Sequence, residues 1–220
     1  MKIEPHIRIE GTEHWAALML FVCLLLLVWV KTEYPRKIPV LFREVFTGEL
    51  AIKEKGITLP SILLFFIYLT CLSLLIMRIA PYFIKFNLSG WWNEFLLFFA
   101  ILLVYYLGET LLLLITGFIF EVQSAVWDYI SEIYIFTHFS GIILLPLAAI
   151  VLFTYGINLK LTGEILLTLT GLLVLYRTAR MFILMIAKGL RPFYLILYIC
   201  CLEIVPLALF IKYGLIIHLQ

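Results

Sequence analysis

The sequence predicts an all-α protein, a polytopic bundle of about six membrane-spanning helices in a single domain over 1–220. Three observations carry this. First, 65% of the residues are hydrophobic and 14% charged, with a mean hydropathy of +1.13, whereas a soluble domain is nearer half apolar and a quarter charged. Second, several stretches exceed the roughly 18 apolar residues that mark a crossing helix. Third, tryptophans and tyrosines collect at the ends of those stretches, as they do at membrane interfaces. The short alternating segments of a transmembrane β-barrel are absent from the sequence.

The first span is expected over 14–30, "HWAALMLFVCLLLLVWV". No small-residue cleavage site follows it, so it reads as a retained span rather than a signal peptide. A long basic connection, 31–58, carries Lys31, Arg36, Lys37, Arg43, Lys53 and Lys55. Within it "IPVLFREVF" suits a short surface helix, with Val40, Leu41, Val45 and Phe46 toward lipid and Arg43 and Glu44 toward water; an irregular loop is the competing reading. The second span is expected over 59–80, and the third over 94–120, long enough to tilt. The fourth, 133–155, carries Pro146, a residue that removes a backbone hydrogen bond and kinks a helix. The fifth is expected over 161–187 and the sixth over 192–213, with a second kink at Pro206. An even number of spans puts both termini on one side. Lys and Arg weigh ten to six for termini outside, or eight to six with Arg177 and Arg180 left out as intramembrane. Cytoplasmic loops attract the positive excess, so the termini are expected in the periplasm.

Ionisable residues at membrane depth cost at least ~2.5 kcal/mol each and ask for partners. Glu109 lies in the third span, Arg177 and Arg180 in the fifth, and Glu203 in the sixth. The two arginines are three apart and share a helix face. Together the four make a neutral cluster in which each guanidinium can hold a carboxylate through two hydrogen bonds. Such a cluster can fix helix register, line a path for a substrate or protons, or dissolve if the arginines reach to the interface. His138 is a possible proton relay, although a single histidine near a span end is more commonly satisfied by a neighbouring helix. Ser140, two residues on, faces another way and cannot pair with it as nucleophile and base. Cys23, Cys71, Cys200 and Cys201 read as small buried apolar residues. No metal-binding spacing and no cofactor motif are present, and the net charge of +2 gives no reason to expect nucleic acid.

The stretches "FREVFTGELAIKEKGITLPSILLFFIYLTCLSLLI" and "RPFYLILYICCLEIVPLALFIKY" resemble an uncharacterised, domain-of-unknown-function family of multi-pass inner-membrane proteins of Bacteroidota. The likeness covers most of the chain and is strongest in the last span, through Phe193, Tyr194, Ile196, Leu197, Tyr198, Cys200, Leu202, Glu203, Ile204, Pro206 and Leu207. The resemblance implies a bacterial inner membrane and no particular activity. With no catalytic set in the sequence, the expected function is that of a non-catalytic integral subunit of an inner-membrane complex, in cell-envelope assembly or protein export. The alternative is a small proton- or ion-coupled transporter using the Glu/Arg cluster. An intramembrane enzyme carries the least support. The expected partners are the lipid bilayer and either another membrane protein or further copies of this chain.

Overall fold

A computed structural model describes residues 13–47, 58–83, 90–119, 121 and 123–153, with 165, 168, 172, 175, 176 and 178–180 beyond them. Five α-helices account for the continuous part of these: α1 Glu13–Glu33, α2 Lys37–Thr47, α3 Leu59–Phe83, α4 Trp91–Ile119 and α5 Gln123–Phe153. The separate residues from 165 to 180 are helical as well. Among the described residues, four helices (α1, α3, α4 and α5) are long and apolar enough to cross a membrane. The expected fifth span falls only partly within the described residues, and the sixth, with Glu203 and Pro206, lies outside them.

Local chemistry explains where the helices begin. The chain leaves α1 through a turn at Pro35 and Arg36 and enters α2, whose first turn is closed by the Tyr34 carbonyl accepting from the Lys37 N–H at 3.0 Å. Thr58 caps α3, its carbonyl accepting from Ser61 N–H at 2.9 Å and its hydroxyl pairing with the Ser61 hydroxyl at 2.9 Å. Pro60 follows within the first turn, where its missing donor costs nothing. Gly90 caps α4 with φ of +121°, a conformation that side chains disfavour, and its carbonyl accepts from Asn93 and Glu94.

α3 and α5 form the inner pair. Each presents about half of its crossing segment to the interior, 56% and 50%, against 22% for α1 and 17% for α4. Their closest approach is at Gly141, where an added Cβ would stand 3.0 Å from the Tyr68 Cβ and 3.2 Å from its Cα. The core along α3 runs through Leu64, Ile67, Cys71, Leu74 and Leu75. α1 and α4 flank this pair and meet at one end, where Trp15 lies 5.0 Å from Trp92 and 5.6 Å from Phe95 between ring centroids.

Two expectations are corrected. The fourth apolar helix starts at Gln123, ten residues before 133, and is 31 residues long. The run 123–132 contains neither Gly nor Pro, and Tyr129, Ile130 and Glu132 are buried in it. Its start packs on α4, the Val126 side chain filling the space beside Gly117. The "IPVLFREVF" segment does form a helix, but its polarity is redistributed. Leu41 and Val45 are buried within the protein rather than facing outward, and so is Glu44, while Phe46 is 71% exposed. Pro146 lies inside α5, which runs from Gln123 to Phe153.

Candidate functional site

Among the described residues, Glu44 of α2, Glu132 of α5 and Arg180 are buried, and Arg180 bonds to both α5 and α2. The face of α5 formed by Glu132, Phe136 and Phe139 recurs at four and three residues, the helical spacing, and looks toward that helix. Phe139 packs edge-on against Phe42 at 5.1 Å and Phe46 at 6.0 Å, both on α2. Glu132 is 2% exposed.

Arg180 closes this region. Its Nη2 lies 3.2 Å from Glu132 Oε1, and its Nη1 donates to the Val45 carbonyl. Its guanidinium carbon sits 5.4 Å from the centroid of the Phe136 ring, a cation–π distance. Tyr176, four residues earlier and so on the same helix face, donates its hydroxyl to the same Val45 carbonyl at 3.2 Å, and its ring meets Phe136 at 5.7 Å. Val45 stands in the last turn of α2, where the final four carbonyls have no partner within the helix and the helix dipole is negative. A cation and a phenol from a distant part of the chain therefore cap α2 from outside. The result ties three segments together: α2, α5 and the helical residues around 180.

Two further ionisable groups are buried on α4 and α5. His138 is 4% exposed. Its ring sits against Tyr134 at 6.1 Å and beside the Ser61 carbonyl, within the field of Lys37. Its Nε2 makes no hydrogen bond. The Lys37 ammonium donates to the Ser61 hydroxyl at 3.5 Å, which joins α2 to the capped start of α3. Glu109 is 4% exposed on α4, one turn beyond Tyr106, whose hydroxyl pairs with that of Tyr68 at 2.5 Å. One turn further along α4, Leu113 packs with Tyr129, Ile130 and Ile133 of α5.

The carboxylate that holds Arg180 is thus Glu132, one residue before the fourth span expected from the sequence. Arg177 and Glu203 lie outside the described residues, so their place relative to Arg180 does not enter the site. A usable signal for Glu132 was its spacing: with Phe136 four residues on and Phe139 seven on, it continues the inward face of the apolar helix backward by a turn. Among the described residues, no three His, Cys, Asp or Glu side chains converge as metal ligands.

The architecture defines a class, a bundle of long apolar helices with charged groups used at their contacts. Within that class the chain belongs to the family described as Domain of unknown function (DUF4271), whose model matches residues 16–213. No curated protein and no solved structure matches the chain.

Proposed function

We propose that this protein is a non-catalytic, multi-pass subunit of a bacterial inner-membrane complex that serves cell-envelope assembly or protein export. The observation that supports this reading is the bonding of Arg180. One guanidinium group contacts a carboxylate, a backbone carbonyl and an aromatic face on two other helices. Those contacts fix helix against helix, which is what a scaffold needs. A solute path would instead keep its charged groups turned toward a water-filled space. The test is purification from native membranes in mild detergent, with the chain tagged at its own chromosomal locus. A stoichiometric membrane-protein partner is expected; a chain that comes alone contradicts the reading.

A proton- or ion-coupled transporter is the second reading. It draws on His138 and Glu109, both buried at depth in apolar helices. Under it, Glu109→Gln or His138→Gln abolishes a flux in liposomes that the parent chain supports. Under the first reading, the chain alone carries no such flux. On either reading the membrane is the bacterial inner membrane, Bacteroidota are the source group, and the basic segment before α3 faces the cytoplasm, the two termini lying in the periplasm.

A further inference from the structure

The short helix α2 sits at the ends of two apolar helices that are long enough to cross a membrane. α1 stops at Glu33, just before α2 starts at Lys37. The Lys37 ammonium donates to the Ser61 hydroxyl, in the first turn of α3. Trp29, in the last turns of α1, and Tyr34, just after it, are both exposed, as aromatic residues are at a headgroup layer. One side of α2 is taken by the protein. Leu41, Glu44 and Val45 are buried, and the Val45 carbonyl accepts from Arg180 and Tyr176. The other side, Arg36, Pro39, Phe42, Arg43 and Phe46, is exposed. Positions 36, 39, 43 and 46 recur at three or four residues and so share one helix face. Arg36 belongs to that face because its carbonyl accepts from the Val40 N–H at 3.1 Å, extending the helical turn back to it.

Neither water nor hydrocarbon suits this face. Water leaves two phenyl rings uncovered, and hydrocarbon strips two guanidinium groups of their hydration. The boundary between headgroups and acyl chains accepts both, rings inward and charges outward. A guanidinium also holds two phosphate oxygens at once in its planar fork. Charge selects among the phospholipids. Residues 31–47 hold Lys31, Arg36, Lys37 and Arg43 against Glu33 and Glu44, and Glu44 is turned into the protein. Such a basic excess at a membrane surface favours a headgroup of net negative charge over a zwitterionic one. Because Arg180 and Tyr176 already hold α2 from within, the face is set in advance, and binding orders little backbone.

The geometry points to the exposed face of α2 as a binding site for an anionic glycerophospholipid. Arg36 and Arg43 take the phosphate, and Phe42 and Phe46 enter the acyl chains beside the glycerol. The lipid then covers α2 from outside, as Arg180 and Tyr176 fasten it from inside. The inference rests on α1 and α3 crossing the membrane but not on the existence of a partner protein, so it and the proposed function can fail separately.

The test uses the full chain reconstituted in phosphatidylcholine vesicles. The probe is a trace of phosphatidylglycerol with a photoreactive diazirine in its acyl chain, close to the glycerol. After illumination the linked peptides are mapped by mass spectrometry. A lipid adduct on α2, at or beside Phe42 and Phe46, is expected. Unlabelled phosphatidylglycerol competes for it at least about tenfold better than added phosphatidylcholine, since two basic side chains near an anionic surface together amount to about thirtyfold in affinity. The Arg36→Gln, Arg43→Gln double variant loses the adduct to a similar degree, whereas the Arg36→Lys, Arg43→Lys variant, which keeps both charges, retains most of it. A parent chain with no adduct on α2, or with equal competition by the two lipids, overturns the proposal. So does competition by soluble glycerol phosphate, which would make the site one for a free phosphate. In native membranes, a photo-cross-link that joins α2 to another polypeptide instead of lipid overturns it as well. The readings on the parent chain do not depend on the folding of a variant.

Discussion

Arg180 is where the residue-scale physics is most exposed to test. It is 9% exposed and its partner carboxylate is buried, so removing one member strands the other charge out of water. Breaking a buried pair from one side costs about 3–5 kcal/mol, while replacing both members by neutral groups costs far less. Arg180→Gln alone should therefore lower the thermal midpoint in detergent more than the Glu132→Gln, Arg180→Gln double variant does. A double variant less stable than Arg180→Gln would show that the two side chains do not compensate each other. Tyr176→Phe removes one of the two donors on the Val45 carbonyl and should cost ~1 kcal/mol, the net value of a single hydrogen bond, measured in the same melts. The sequence announced that an arginine at this depth needs a carboxylate. It did not announce which one, because a charge pair between distant helices leaves no mark in local spacing. Glu109 and Glu132 are both acids set within long helices of mainly apolar residues, and only tertiary packing separates their roles.

At the scale of elements, glycine positions separate contact from open space. Gly141→Ala places a methyl group 3.0–3.3 Å from the Cβ, Cα and N of Tyr68. Two of those atoms are backbone, so α3 and α5 must part, at a cost of about 1–3 kcal/mol. Gly108→Ala meets nothing within 4 Å. Alanine is also the better helix former by up to ~1 kcal/mol, so this variant should be neutral or stabilised. Parallel thermal melts of the two variants check the crossing; equal behaviour would contradict it. The apolar runs for α1, α3 and α4 were legible to within about three residues, since composition decides such helices. The start of α5 was not. Its first ten residues, "QSAVWDYISE", are too polar to register as a span and carry no breaker to say that the helix stops. For α2 the mixed period left helix and loop both open, and the burial of Glu44 was not legible, because an amphipathic pattern does not say whether lipid or protein covers the apolar side.

Taken whole, the described residues form an inner pair of helices, two flanking helices with broad apolar surfaces, and a short helix held at one end by Arg180 and Tyr176. Leu107, Leu111, Phe118 and Ile119 on α4 are each more than half exposed, a surface suited to lipid or to another membrane helix. The buried charges fasten helices, and that is the ground for reading the chain as part of a larger assembly. Native mass spectrometry of the protein released directly from its own membranes tests this most directly. The account predicts a mass well above the 25.6 kDa of one chain, with at least one different polypeptide in fixed ratio. A species of 25.6 kDa, or an integral multiple of it containing this chain alone, would contradict it.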